Sequence, residues 1–488
     1  MPDLADIHFS VLERHFTLRR YPLLPKELHR AWDAADELMA WFVLGLVSAE
    51  ADRDLNAEPL PGPKKNHRWP TEPTEPTEPT DPTEPDGSDE SASSITALFA
   101  GLNSMNPPRC LVVNDTFGCL TLVLASLGLK PWVLNDSWCA MESLWQNAVA
   151  NEFELDSSRF LTSHDPLPDD IELVIMRASD RHDERARIDA LLRPHLAPNA
   201  RILTAAMVKA NLYTELGSTL HSSIWRKACV HLTIPNAPKT AVESAVESAV
   251  ESAGGPEETE SLTLEHGGRR FAILPGVFSG RVMEDGPTVD PGTAMLLANL
   301  PAAADFAQQS DGVDLIDLGS GTGLLGIVMA LELADSGTRP RSVRFYDESA
   351  LAVACASLNA GEHLDDFPEE AVSVHWLDCL TDVSENSADL VLCNPPFHAG
   401  NVRTDAVAWR MFTHACRVLR PGGRLRVVGN RHLHYHAKLT KIFGNHKTIK
   451  SDRRYVVVEA IKGVTDPPSP RSTKSAQGDE PPGNGERA

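Results

Sequence analysis

No two cysteines in this chain sit at metal-binding or disulfide-forming spacing. The eight (Cys110, Cys119, Cys139, Cys229, Cys355, Cys379, Cys393 and Cys416) are scattered singly, with no C-x-x-C pair. That excludes a zinc ribbon or a stapled secreted scaffold, and the thiols read as small apolar residues kept reduced. No apolar stretch approaches the roughly 20 residues needed to span a bilayer. Met1-Pro2-Asp3-Leu4 lacks the basic start and apolar run of a secretory leader. A cytoplasmic setting without membrane contact is therefore expected. A phosphate-binding loop with its lysine is also missing, which argues against a nucleoside triphosphate. His432, His434 and His436 alternate beside Arg431. Helical metal partners fall at i and i+4, so no metal site is expected there.

What is present is charge, unevenly placed. The 488 residues, room for two or three domains, carry a formal charge of −23. Residues 50–90 hold twelve acids and four bases, and residues 239–260 six glutamates and one lysine. Residues 401–455 reverse the sign, with thirteen Lys/Arg against Asp405 and Asp452. A local reversal of this size marks an anionic partner such as nucleic acid.

Composition divides the chain. Residues 1–48 read as a leading helical segment, since Ala31–Met39 combines good helix formers with helical apolar spacing. Residues 49–105 read as an acidic, Pro-rich linker whose Thr-Glu-Pro repeat (71–85) cannot build a core. An α/β unit is expected over 106–236 and a second over 263–462, joined by the Ala-Val-Glu-Ser tract of 237–262. Residues 463–488 read as a disordered tail. In the second unit strands are expected at 313–318, 343–346, 372–377, 389–393, 424–429 and 455–460. Alternation of strand and helix predicts a parallel sheet covered on both faces.

The chemistry concentrates in the second unit. Asp317-Leu318-Gly319-Ser320-Gly321-Thr322-Gly323 follows a strand and opens a helix. Three glycines let a ligand approach the backbone closely. A lone Gly-rich turn is weak, but Asp347 at the end of the next strand can accept ribose hydroxyls. Asp378, after the third strand, is the candidate for an adenine amino group. S-adenosylmethionine (SAM), which carries no phosphate, suits this set. Asn394-Pro395-Pro396-Phe397 follows the fourth strand. Two prolines fix the turn. The Asn394 side-chain oxygen and the Pro395 carbonyl can accept both hydrogens of one amino group, and Phe397 can stack on a base. Methyl transfer to an exocyclic or amide nitrogen is the reaction expected, with adenine-N6 and protein glutamine among the acceptors that this tetrapeptide can serve. A non-catalytic RNA-binding assembly factor is the other class.

The two α/β units read as copies. Val112–Gly118 sits where Ile316–Gly321 sits, Asn135-Asp136-Ser137 parallels Asp347-Glu348-Ser349, and Arg177 falls near the place of Asn394. In the first copy side chains replace the open glycine loop. Arg177, a pure donor, is expected to bind phosphate rather than an amine.

The second unit resembles class I SAM-dependent methyltransferases. Further motifs are Asp290-Pro291-Gly292-Thr293, Asp347-Glu348-Ser349, Asn394–His398 and Gly429–Leu433. With these the chain resembles the bacterial ribosomal RNA guanine-N2 methyltransferases, which have two tandem methyltransferase-like domains, the first degenerate. Asn430–Leu433, Tyr435-His436, Lys438-Leu439 and Leu18–Pro22 are more similar to the large-subunit (23S) than to the small-subunit (16S) enzyme. The resemblance implies a Rossmann-like α/β pair acting on 23S rRNA, and a monomer is expected. It implies SAM held by Asp317, Gly319, Gly321, Gly323, Asp347 and Asp378. It places catalysis at Asn394, Pro395, Pro396 and Phe397. RNA contacts are expected from Arg177, Arg403, Arg431, His432, Lys438 and Lys441.

Neither acidic tract has apolar residues enough to offset its ordering entropy. Deleting 71–85, or replacing 241–252 by Gly/Ser, should leave the melting temperature unchanged. A drop of several degrees in a thermal scan would show that a tract packs on a domain.

Overall fold

Mostly apolar segments bounded by turn residues become the inner strands of two seven-stranded sheets. The computed structural model describes residues 8–11, 14–22, 30–51, 108–179, 182–207, 216–225, 227–235, 262–274, 277, 282–283, 286–309, 311–396 and 402–463. Both acidic repeats, Phe397 and the tail beyond 463 lie outside them.

The first unit opens with a hairpin, β1 (His8–Val11) and β2 (Arg14–Thr17), followed by helix α1 (Ala34–Ala51). Next come β3 (Cys110–Val113), α2 (Cys119–Ser126), β4 (Trp132–Leu134), α3 (Trp138–Ala150), β5 (Phe160–Leu161) and β6 (Ile171–Arg177). Then follow α4 (His182–Leu192), β7 (Leu196–Met207), β8 (Gly217–Trp225) and β9 (Ala228–Pro235). The leading segment is thus not wholly helical. Phe9 and Val11 point inward while His8 and Ser10 point out, the period of two that makes a strand.

The second unit repeats the plan. A hairpin, β10 (Leu262–His266) and β11 (Arg269–Ile273), precedes the short pair β12 (Val282–Met283) and β13 (Gly286–Pro287). Helix α5 (Pro291–Leu297), β14 (Val313–Leu318), α6 (Leu324–Asp335), β15 (Pro340–Asp347), α7 (Ala350–His363) and β16 (Val372–Trp376) follow. The unit ends with β17 (Ala388–Cys393), α8 (Val402–Val418), β18 (Leu419–Asn430), α9 (Tyr435–Phe443), β19 (Lys447–Ser451) and β20 (Tyr455–Ile461).

The sheet orders match: β5-β4-β3-β6-β7-β9-β8 and β16-β15-β14-β17-β18-β20-β19. Five strands of each are parallel, and the sixth in order, β9 or β20, runs antiparallel to both its neighbours. The expectation of a parallel sheet is corrected there, because that strand follows the edge strand directly through a short turn. Among the described residues no helix is long and apolar enough to cross a membrane.

The copying extends to single hydrogen bonds. Asn147 donates to the Phe117 carbonyl (2.9 Å) and exchanges two bonds with the Arg19 backbone (2.8 Å each). Asn359 donates to the Thr322 carbonyl (2.8 Å) and exchanges two bonds with the Ala272 backbone (2.7 and 2.9 Å). Each hairpin is thereby pinned to the helix of its own unit. The loop register also matches, since Val113 pairs with Met176 as Leu318 pairs with Cys393. Asn114 therefore stands at the place of Gly319, with φ of 59° against 72°. Asparagine is among the few side-chain-bearing residues that adopt this region readily.

By the same register Arg177 stands at the place of Asn394. It does not reach out to phosphate as expected. Its guanidinium donates to Asp33 (2.8 Å) and Asp36 (3.2 Å), and its side chain is only 17% exposed. Burial pushes the Asp36 carboxyl up to about 7, against the opposing pull of Arg177. Removing the arginine strands both acids.

Beneath the second glycine loop Asp317 is fully buried, and its Oδ2 accepts the Gly326 N–H at 2.8 Å. Burial pushes this carboxyl up to about 8, with the Asp347 charge adding.

Two tests follow from these buried acids. Arg177→Ala should destabilise the first unit by about 3 kcal/mol. The loss should be smaller at pH 5 than at pH 8, because the stranded acids then bind protons. Denaturant titrations at both pH values measure it; unchanged stability would return Arg177 to a surface role. For Asp317, the folded state holds a proton that an unfolded carboxyl releases near pH 4. Its contribution to stability therefore falls as pH rises from about 4 to 8, then levels off. Asp317→Asn should remove that decline, so melting curves of variant and wild type should diverge in the variant's favour towards pH 8. Parallel curves would show that Asp317 is ionised.

Candidate active site

The carboxyl edges of the two sheets face each other, and a cavity of about 1040 Å³ lies between them. Crevices at this edge are where open α/β folds bind ligands. Reciprocal backbone bonds hold the two edges together. The Trp138 N–H donates to the Glu348 carbonyl and the Ala350 N–H to the Asp136 carbonyl, both at 2.8 Å. The Ser137 hydroxyl adds a 2.6 Å bond to the Glu348 carboxylate. Ser137 and Ser349 cap the helices that leave these loops, accepting from Ala140 and Ala352.

From the second unit the glycine loop, Asp347, Asp378, Asn394 and Arg410 line the cavity. The Gly319 and Ser320 N–H groups donate to the Tyr346 carbonyl (2.8 and 3.1 Å), which turns the chain sharply after β14. Gly323, at φ 79°, starts α6, and a Cβ there would press on Ala356 at 3.3 Å. Asp347 accepts the Gly321 N–H through one oxygen (2.9 Å) and the Ser349 N–H through the other (3.0 Å). Each oxygen keeps a lone pair for a hydroxyl. Burial raises this carboxyl above the usual range. Asp378 faces the cavity with its Oδ2 ion-paired to Arg410. Asp317 lies beneath the loop, buried, rather than on the cavity wall.

Asn394, Pro395 and Pro396 form another part of the wall. The Asn394 Nδ2 donates to the Thr293 hydroxyl at 2.8 Å and to Asp290 Oδ2 at 3.4 Å. Its Oδ1 is buried, with no donor to it among the described residues. A buried acceptor without a donor is costly and uncommon, and a ligand N–H would satisfy it. Phe397 lies outside the described residues, as does the side chain of Arg403.

The basic candidates divide. Arg431, His432 and Lys441 are exposed. Lys441 sits 5.1 Å from the Trp409 ring centroid. Lys438 is not a free RNA contact. It donates to the Leu433 carbonyl (2.7 Å) and pairs with Asp405 (2.6 Å), with a side chain only 13% exposed.

Sequence reasoning missed three contributors. Arg410 lies on α8, where nothing but its position after the Asn394 turn singles it out. Arg20 and Tyr21 come from the first unit and line the same cavity. Burial, and next the Asp378 charge, pushes the Tyr21 hydroxyl up to about 12.

Residues 268–459 match the family described as Methyltransferase small domain, and residues 96–230 match the RLMG N-terminal domain. A Ribosomal RNA large subunit methyltransferase G from Shewanella denitrificans is 30% identical over 373 residues, covering 74% of this chain and 88% of that protein. The protein of the same name from Shewanella loihica is 32% identical, covering 74% and 85%. Among solved structures, a T. thermophilus 16S rRNA N2 methyltransferase in complex with AdoMet and guanosine superposes with a TM-score of 0.50. It is 21% identical, covering 74% of this chain and 89% of that one, and so shares the fold. Likeness to the Shewanella proteins runs through both units and most of their length, so the chain belongs to the ribosomal RNA large subunit methyltransferase G family.

Proposed function

We propose that this protein methylates the exocyclic N2 of a guanine in 23S rRNA, using SAM. The observation that carries the reading is the buried Asn394 Oδ1, an acceptor with no donor among the described residues, on the wall of a cavity beside the glycine loop. The family's name supports rRNA of the large subunit as the substrate.

In this reading the Gly319, Gly321 and Gly323 turn, Asp347 and Asp378 hold the cofactor. When bound, SAM supplies an electrophilic methyl group. The protein's own part is to prepare the amine. The N2 lone pair of guanine is delocalised into the ring, which makes it a poor nucleophile. Asn394 Oδ1 and the Pro395 carbonyl accept its two hydrogens and hold the nitrogen in a geometry that frees the lone pair. This is positioning and electrostatic stabilisation, with no base required to deprotonate the amine first. Phe397 stacks on the base. Arg403, Arg431, His432 and Lys441 attract the phosphate backbone. The first unit positions RNA and binds no SAM of its own, because Asn114, Thr116 and Phe117 occupy its loop. The domain limits read from the sequence, 106–236 and 263–462, are part of this proposal.

Asn394→Ala should lower methyl transfer to unmodified 23S rRNA by 100-fold or more, on the order of 3 kcal/mol. SAM affinity, read by calorimetry, should stay within a few-fold at one site per chain. Mapping methylated guanines in rRNA from cells lacking the protein tests the substrate. An unchanged pattern would sink the rRNA reading, and near wild-type transfer by the variant would sink the role of Asn394.

A further inference from the structure

An asparagine side chain is ambiguous. Its oxygen accepts and its NH₂ donates, yet the two ends have nearly the same shape. An acceptor amine needs the oxygen. Turned by 180°, Asn394 would set its own N–H groups against those of the substrate. Something must therefore fix the rotamer, and the tetrapeptide alone does not.

We propose that Asp290 and Thr293 form a clamp that fixes the Asn394 amide with its oxygen towards the substrate. The proposal rests on the methyl-transfer reading. Asp290 caps α5, its Oδ2 accepting the Thr293 N–H at 2.9 Å. The same oxygen lies 3.4 Å from the Thr293 hydroxyl and 3.4 Å from Asn394 Nδ2. Asp290 is buried, and its Oδ2 stands as acceptor to all three groups. The Thr293 hydroxyl turns its hydrogen to that carboxylate and its lone pairs to Asn394, 2.8 Å away. Both neighbours of the amide thus demand a donor. Only the NH₂ end satisfies them, and Oδ1 is left for the ligand. Asp290 and Thr293 are positioning residues, acting through Asn394.

The first unit supplies an independent instance. Asp33 stands before α1 and accepts the N–H groups of Ala35 (2.8 Å) and Asp36 (3.2 Å). Asp36 follows Asp33 by three residues, as Thr293 follows Asp290. At the Asn394 register stands Arg177, and it donates to both acids. Both halves therefore present acceptors to the residue at this point. In one that residue still offers an oxygen, and in the other it offers none.

The test uses the full chain, SAM and 23S rRNA from cells lacking the protein. Thr293→Val keeps the shape and removes the hydroxyl. It should lower kcat by about 30-fold, with the melting temperature, SAM affinity and KM for RNA close to wild type. Thr293→Ser, which restores the hydroxyl, should return kcat to within about threefold. A second pair of variants separates orientation from packing. Asn394→Asp sets two carboxylates together and should lower kcat by more than about 100-fold. Adding Asp290→Asn supplies the missing donor and should recover at least about tenfold of that loss. A Thr293→Val enzyme within twofold of wild type overturns the clamp while wild-type transfer leaves the reaction standing. Failure of Asp290→Asn to rescue Asn394→Asp also overturns it. A wild-type chain that transfers no methyl to this RNA overturns the reaction and the clamp together.

Discussion

The site exists because two backbone hydrogen bonds, Trp138 to Glu348 and Ala350 to Asp136, join the loops at the carboxyl edges of the two sheets. Main-chain groups in such loops must be paired somewhere, and here each loop satisfies the other. Pairing at this point sets edge against edge, so the cavity has walls from both units. The loop that carries Asp347 is fixed from two directions, by the Gly321 N–H from its own domain and by Ser137 and Trp138 from the other. The Asp347 loop is consequently tied to both units, and Tyr21 can feel the charge of Asp378.

Within this frame the halves keep the backbone plan and differ in their side chains. Asn114 stands in the place of Gly319 with the same handedness of turn. Thr322 corresponds to Phe117, whose ring packs under Arg20 at 5.1 Å from the guanidinium. The hydrogen bonds of Asn147 and Asn359, by contrast, are the same to within a few tenths of an ångström. Scaffold bonds persist in both halves, while the groups that would meet a ligand persist in only one.

Much of this was legible from residues alone. The strands at 313–318, near 343, 389 and 455 are mostly apolar, close to the pattern that burial on both faces requires. The glycine loop, Asp347 and the Asn394 turn announce themselves because each needs residues that are rare in that combination. Polar edge strands gave no such signal. Lys447–Ser451 reads Lys-Thr-Ile-Lys-Ser, with one apolar residue in five, and the hairpin at 8–17 hid beside a helical segment. Pairings across long separations were also out of reach. Arg177 looked like a phosphate ligand because an arginine offers only donors. Its partners, Asp33 and Asp36, arrive from the far side of an acidic tract. Lys438 misled for a related reason, since Asp405 lies a helix away. Arg410 and Tyr21 are ordinary until the fold brings them to one cavity.

The clasp between the loops has the form of an isologous contact, in which the same patch from each partner meets itself across a local dyad, as in a symmetric homodimer. In a true homodimer every substitution appears twice, so a cavity on the axis has identical walls. Covalent joining lifts that constraint. One wall here carries Asn394 and the glycine loop, and the other carries Arg20, Tyr21 and Phe117. A chain folded as its own dimer can thus oppose unlike surfaces across a symmetric joint. An asymmetric substrate, with a cofactor on one side and a nucleic acid on the other, requires that kind of cleft.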